Sequence, residues 1–334
     1  MKIYLEIVKS KLPTNKPRID FLKANFGWVH INLSIFNPLS FLIFFITVLK
    51  GLIHEKVFIL TRMPALPLPF LLFFFLLPNL SIEHHAIFES ERDNSSFYRR
   101  QYSFFTLILF KLLCRYKITH NICFSREIAD HVISQYYAPS QSIFLTVNSH
   151  DPTPVLLDNR LTHVHTLTFM CGHFYPWQGL DLCISLVKEL SVFLPVKLHL
   201  IGHLNNEQHD LINHYPFINH HGYLSNFEID AILSETDVGL APFALDRQGL
   251  SESSSLKCAY YLSRGVPVLS YFKDTRFHSD FYFYLADTLH SKSIHNIVNF
   301  ILSCQNYTKQ DVYSSSVEFW SHTLILKELN LLFD

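Results

Sequence analysis

Glycine is scarce in this 334-residue chain and unevenly spread: of nine glycines, only Gly27 and Gly51 precede residue 150, and seven punctuate the stretch from Gly172 to Gly265. Other absences remove whole chemistries. There is no G-x-G-x-x-G, no Walker A loop, no H-E-x-x-H and no G-x-S-x-G, so nicotinamide chemistry, phosphate-loop hydrolysis and standard esterase chemistry have no support. No D-x-D occurs either, which removes that kind of metal–diphosphate site. The six cysteines make no C-x-x-C pair and mostly sit in apolar segments, which predicts buried thiols in a reducing compartment. Histidines number twenty, but His84 with His85, His220 with His221, and His163 with His165 lack an accompanying carboxylate or cysteine set, so no metal site is expected.

Long apolar runs are missing as well. The segments 41–49 and 66–77 fall short of the roughly 18 residues that a bilayer-crossing helix needs, and the second contains Pro67 and Pro69. They fit either buried helices of a layered core or an exposed face partly inserted in a membrane. The opening residues MKIYLEIVKSK carry charges throughout and are not expected to act as a signal peptide. A cytoplasmic protein is the expectation.

What is present is a folded composition, 49% hydrophobic and 16% charged, in a chain long enough for two domains with separate cores. The near-zero net charge hides an asymmetry. Residues 1–150 carry 16 Lys and Arg against 9 Asp and Glu, net +7, and residues 151–334 carry 11 against 19, net −8. Phe97 to Lys117 reads as one amphipathic helix. With Arg92, it puts Arg99, Arg100, Lys111, Arg115 and Lys117 near a greasy surface. This pattern fits a core-facing helix with solvated ends, or peripheral attachment to an anionic membrane on its inner face. Nucleic acid is not an expected partner.

Along the chain, Lys2 to Val8 reads as a strand, followed by a Pro-containing loop at 12–17. Further strands are expected at Trp28 to Leu33, Val57 to Thr61, Ser81 to His85, Ile118 to Phe124 and Ile143 to Val147, with a helix over Arg126 to Gln135. Asn148 to Pro154 reads as a linker. Beyond it the alternation sharpens: strand Leu167 to Met170, helix Leu180 to Phe193, strand Val196 to Ile201, helix Asn206 to His214, strand Phe217 to His221. Ser225 and Glu228 form a capping box opening the next helix, and Asp237 to Ala241 is a strand. Such alternation implies βαβ units and a parallel sheet in each half. The fold class is therefore α/β, with an N-terminal Rossmann-like domain over 1–155, a second over 156–315, and a terminal helix over 316–334 packing back toward the first.

The stretch from Gly249 to Ser270, GLSESSSLKCAYYLSRGVPVLS, is a loop, a short helix and a strand. Ser253, Ser254 and Ser255 are N-cap candidates, and Gly265 stands where a left-handed residue closes a helix. The helix N-terminus suits an anion such as a diphosphate, and Glu252 beside it would accept hydrogen bonds from sugar hydroxyls. A plain helix cap on a solvated loop is the other reading of this stretch alone. The loops Gly172 to Gly179, Gly202 with His203, Gly222 to Leu224 and Gly249 to Lys257 all fall at strand ends, on the ligand edge of a parallel sheet.

GHFYPWQGLDLCISL, VKLHLIG, INHHGYLSNFEIDAIL, TDVGLAPF and GLSESSSLKCAYYLSRGVPVL, in that order, resemble the donor domain of the family-4 retaining glycosyltransferases of the GT-B fold. KVFILTR, Glu83 with His85, Ser125 and VNSHD resemble its first domain more faintly. The resemblance implies GT-B architecture, two Rossmann-like domains facing a cleft. It implies transfer of a sugar, with retention and without metal or other cofactor, from a UDP- or GDP-linked donor to a glycan or lipid-linked acceptor, as in cell-envelope polysaccharide assembly. Glu252 then matches the first glutamate of the family's signature, at the donor sugar, with His85 facing the sugar from the first domain. Gly172, His173, Gln178 and Gly202, Tyr223 and Leu224 at the base, Ser253, Ser254, Ser255 and Lys257 at the phosphates, and Tyr260 at the ribose would complete the donor site.

Two positions depart from the family. Tyr260 stands where the second glutamate is usual, and His173 and Gln178 stand where cations normally meet the diphosphate. A protonated His173, Lys257, Arg247 or Arg264 are the candidates to restore that charge. The competing readings are a catalytically weak or inactive GT-B subunit that acts as a binding partner, and a GT-B epimerase or phosphorylase.

Overall fold

The computed structural model describes residues 2–8, 16–34, 46, 58–62, 74–75, 79–87, 97–151, 156–160, 163–286 and 294–333. Apart from residues 46, 74 and 75, the apolar stretches 41–49 and 66–77 lie outside the described residues, as does the loop at 12–15. The chain forms two compact units: residues 1–147 with 322–334, and residues 148–321. The boundary thus falls earlier than the expected 155/156.

The first unit is built on a six-stranded parallel sheet. Its elements are β1 (Lys2–Val8), α1 (Lys16–Phe26), β2 (Val29–Ser34), β3 (Phe58–Arg62), β4 (Leu80–His84), α2 (Phe97–Tyr116), β5 (His120–Cys123), α3 (Arg126–Tyr136) and β6 (Ile143–Leu145). The strand order is β2-β1-β3-β4-β5-β6. Helix α1 was not anticipated: Pro17, taken as a loop residue, stands in its first turn, where a missing N–H costs nothing. Ser125 caps α3, its hydroxyl accepting from the Ile128 N–H at 3.1 Å. Tyr4, Leu22, Trp28, Leu60, Ile122 and Phe124 pack with Leu326, Leu329 and Phe333 of the last residues in one core. Lys2 Nζ and Trp28 Nε1 both donate to Asn330 Oδ1, at 3.0 and 3.1 Å.

The polar end of β4 is mostly interior. Glu83 and His84 are wholly buried. Tyr4 donates its hydroxyl to Glu83 at 3.3 Å. His84 Nε2 lies 2.9 Å from Asn121 Oδ1, and burial holds its ring at a pKa of about 4. His85 alone comes to the edge, half-buried, its ring stacked on Phe124 at 3.9 Å and its Nε2 3.4 Å from Glu83.

The second unit has β7 (His165–His173), α4 (Leu180–Leu190), β8 (Val196–His203), α5 (Asn206–Ile212), β9 (Ile218–His220), α6 (Asn226–Glu235), β10 (Val238–Leu240), β11 (Glu252–Ser253), α7 (Leu256–Ser263), β12 (Val268–Ser270), β13 (Lys273–Asp274), β14 (Tyr284–Ala286), α8 (Ile294–Cys304) and α9 (Lys309–Trp320). Its large sheet is parallel, in the order β14-β12-β10-β7-β8-β9. Two connections run outward in opposite directions from the β7–β10 pair, the doubly wound arrangement that opens a crevice at the carboxyl ends of those two strands. Leu167, Phe169, Leu200 and Leu240 pack against Cys183, Val187 and Ile301 in its core. The capping box of α6 is present as the sequence indicated: Ser225 Oγ accepts from the Glu228 N–H and Glu228 reaches back to the Ser225 N–H.

The expected terminal helix over 316–334 is instead two. Ser321 is extended (φ −63°, ψ 132°) between α9 and a final helix, His322–Leu331. The carbonyl of Trp320 accepts the N–H of His150 at 2.7 Å, and Ser321 bridges to His150 in β fashion, so the backbone there pairs with a crossing segment instead of continuing the helix. The unit boundary falls at this break.

Gly202, at the end of β8, has φ +127°, and a Cβ there would lie 1.6 Å from the Cys171 carbonyl oxygen. Its N–H donates to the Gly222 carbonyl at 2.7 Å, which ties two loops of the ligand edge together. Gly202→Ala is expected to destabilise the protein by more than about 4 kcal/mol in urea melts, because both backbone strain and overlap must be relieved. Gly172→Ala is the control: a Cβ at that position meets nothing within 4 Å, so its melt should stay within about 0.5 kcal/mol of the parent.

Candidate functional site

The carboxyl end of β7 runs into Gly172 and His173 and then a short 3-10 turn, Pro176–Gln178, closed by Gly179. The Phe243 N–H, just past β10, donates to the Gln178 carbonyl at 2.9 Å. The Gly172–Gly179 loop is therefore pinned over the crevice between the two central strands. Gln178 is buried, and its Oε1 accepts from the Cys171 thiol at 3.2 Å. Burial pushes that thiol up despite the nearby cation, so it stays a neutral donor.

Helix α7 brings Lys257 to the same place. Its ammonium donates to Gln178 Oε1 and approaches Cys171 Sγ at 2.9 Å, with the rings of Phe169 and Trp177 at 5.4 and 5.9 Å. Two residues expected to share a diphosphate thus meet, although 79 positions separate them. The other candidate cations are committed elsewhere. Arg247 forks onto Asp181 at 2.7 and 3.0 Å, and Arg264 pairs with Asp230 at 2.9 Å. His173 has its Nε2 3.2 Å from the Tyr223 hydroxyl. Among the described residues, Lys257 contacts only neutral atoms, so its charge remains available to an anion in the crevice.

Tyr260, expected at the ribose, is engaged by Asp230 and Arg264. Its hydroxyl donates to Asp230 Oδ1 at 3.0 Å and Arg264 lies over its ring at 4.4 Å. Burial pushes its pKa up to about 12, so it serves as a neutral donor in this Asp230–Arg264 cluster.

The serines also differ from the sequence reading. Ser255 occupies the N-cap position of α7 but its side chain makes no cap bond. Its N–H donates instead to Asp274 Oδ2 at 3.3 Å, so a carboxylate from β13 occupies the positive end of the helix from inside the fold. The Ser254 hydroxyl is buried and accepts the Asn148 N–H at 2.6 Å, while the Asn148 side-chain amide donates to the Ser254 carbonyl. The Ser253 carbonyl accepts from the Thr275 N–H at 3.0 Å.

Glu252 sits on β11, half-buried, directly opposite Lys273 in the small parallel β11–β13 pair. That pair is anchored by Arg276, wholly buried with Asp274: Arg276 Nε and Nη2 donate to the carboxylate at 2.8 and 2.5 Å. Its remaining donors reach the Asn148 and Ser255 carbonyls at 3.2 and 2.5 Å. Arg276 and Asp274 were not singled out from sequence. Gly265, by contrast, takes the left-handed conformation its position required (φ +66°).

At the ends of β7 and β8 and in the turn after β9, aromatic rings gather on the surface. His203 and Tyr223 are parallel at 6.2 Å, His173 meets both edge-on, and Tyr175 stacks on His173 at 5.7 Å. Leu224 follows in the same turn, half-buried. Flat, exposed rings form a surface suited to a nucleobase. Tyr175 and His203 belong to this group through proximity that spacing does not reveal. Among the described residues, no group of three or more His, Cys, Asp or Glu is placed to hold a metal ion.

No protein-family model matches the sequence, and comparison with curated proteins finds no relative. Solved structures do match over the whole chain. Sucrose-phosphate synthase from Thermosynechococcus elongatus matches at a TM-score of 0.71 with 11% identity, covering 100% of this chain and 98% of its own. Anabaena HepE, solved in complex with UDP and glucose, matches at 0.66 with 13% identity, covering 99% and 98%. A glycosyltransferase from Rickettsia africae matches at 0.66 with 11% identity, covering 99% and 97%. With its two α/β units, each on a six-stranded parallel sheet, the chain has the GT-B fold of these glycosyltransferases.

Proposed function

We propose that the protein transfers a sugar from a nucleotide diphosphate sugar, UDP- or GDP-linked, to a glycan or lipid-linked acceptor. The observation that carries this reading is Lys257, an unneutralised ammonium held over the β7–β10 crevice by Gln178. It restores, from a different element, the positive charge that position 178 lacks. Developing charge on a leaving diphosphate is what a fixed cation in such a place stabilises. The exposed rings of His173, His203 and Tyr223 receive the base. Glu252 binds donor-sugar hydroxyls, and the reaction proceeds with retention and without metal through an oxocarbenium-like transition state, in cell-envelope polysaccharide assembly.

A second reading, a binding subunit with weak or no activity, is favoured by Tyr260, whose hydroxyl is engaged with Asp230 where a ribose ligand is wanted. Titration calorimetry with UDP and GDP separates the two. One nucleotide should bind in the micromolar range, and the matching nucleotide sugar should be turned over to free nucleotide. Absence of binding at millimolar concentrations of both would overturn the transferase.

A further inference from the structure

Helix α2 buries one face and exposes an apolar one. Leu107, Phe110, Leu113 and Cys114 are buried, whereas Phe104 (56% exposed), Ile108, Leu112 and Tyr116 (67%) face out. At four-residue intervals these four share one arc of the helix about 18 Å long, opposite the buried side. Ile133 and Tyr137 (60% exposed) extend the same surface from α3. Arg115 links the two helices: its guanidinium lies 5.0 Å from the Tyr116 ring and 5.8 Å from that of Tyr137. Lys111 stands one turn earlier, 5.9 Å from the Tyr136 ring.

Charge decides what such a surface fits. From Phe97 to Lys117 there are five cations and no acidic residue, and the nearest carboxylates of α3, Glu127 and Asp130, lie in its N-terminal half, away from Tyr137. Aliphatic side chains with tyrosines at the rim and basic residues beside them have the composition of an element lying in a lipid interface. No helix among the described residues is long and apolar enough to cross a membrane. We propose that α2, with the end of α3, is a docking face for an anionic phospholipid surface. Ile108 and Leu112 enter the acyl boundary, Tyr116 and Tyr137 sit at headgroup level, and Lys111 and Arg115 meet lipid phosphates.

The test is flotation of the full-length protein with vesicles of phosphatidylcholine alone and of phosphatidylcholine with phosphatidylglycerol. The protein should float with the anionic vesicles, hardly with the neutral ones, and less as salt rises. Lys111→Gln with Arg115→Gln should lower partitioning about fivefold for each charge removed, and Leu112→Ser with Tyr116→Ser should abolish it at an unchanged melting temperature. Tyr116→Ser alone, at the most exposed position, keeps the test readable should the double variant melt early. Equal recovery on both vesicle types, recovery on neither, or variants floating like the parent would overturn the proposal. So would a dimer in sedimentation that the same serine substitutions dissolve while vesicles are ignored, since the face would then belong to a second copy of the chain.

Discussion

Replacing Lys257 with Met should weaken binding of the nucleoside diphosphate by about 10- to 100-fold, the usual worth of a hydrogen bond to a charged group, about 1.5–3 kcal/mol. Turnover of the nucleotide sugar should fall further, by about 10²–10³, because the interaction strengthens as the leaving group gains charge. The reason lies in the pairing of Lys257 with Gln178. Arg247 and Arg264 are tied to Asp181 and Asp230 and cannot substitute. Removing the ammonium therefore leaves the crevice without its compensating cation. The companion variant is more discriminating. Gln178→Lys in the Lys257→Met background moves the charge back to position 178 and should recover about tenfold or more in turnover, each tenfold being about 1.4 kcal/mol of barrier. Gln178→Lys alone crowds two ammonium groups and should lower the melting temperature. Calorimetry and a nucleotide-release assay read all three. Undiminished affinity in Lys257→Met would remove the basis for placing the diphosphate there.

Arg276→Met should destabilise the second unit by about 3–5 kcal/mol, the cost of leaving one partner of a buried ion pair behind. Asp274 and Arg276 are both fully buried. Without the guanidinium, Asp274 keeps the backbone N–H groups of Ser255 and Arg276, at 3.3 and 3.1 Å, and the Cys258 thiol, and the Asn148 and Ser255 carbonyls each lose a charged donor. Replacing both partners, Asp274→Leu with Arg276→Met, should cost clearly less, since no charge is then stranded. Urea denaturation of the two variants tests the difference. An Arg276→Met protein as stable as the parent would show that the pair does not hold the β11–β13 segment. Because Glu252 lies on β11, nucleotide-sugar turnover should be lost in Arg276→Met even below its melting temperature.

These residues show what sequence reveals and what it conceals. Several local patterns were legible: β1 over Lys2–Val8, α6 from Ser225 and Glu228, the close of α7 from Gly265, whereas α1, with Pro17 in its first turn, was not. The alternation of strands and helices was enough for two parallel sheets. Contacts between distant positions were not legible. Asp274 and Arg276 stand in a polar, turn-like string, and nothing nearby reveals that both are buried. The Ser254 hydroxyl was read as a phosphate ligand because its partner, Asn148, is 106 residues away. The two strands β11 and β13 are too short for any periodicity. Lys257 was one of four candidate cations until the carboxylates on Arg247 and Arg264 could be seen.

The break at Ser321 has a consequence for biosynthesis. Domains generally fold in order as the chain is made, the N-terminal one first. Here the core around Tyr4, Trp28 and Phe124 needs Leu326, Leu329 and Phe333, and Asn330 receives both Lys2 and Trp28. The second unit has all its residues once Ser321 has been added, whereas the first waits for the segment that follows. A nonsense codon a few residues beyond position 321 would therefore spare the later-made unit and cripple the earlier one, the reverse of what truncation does to domains strung in simple succession.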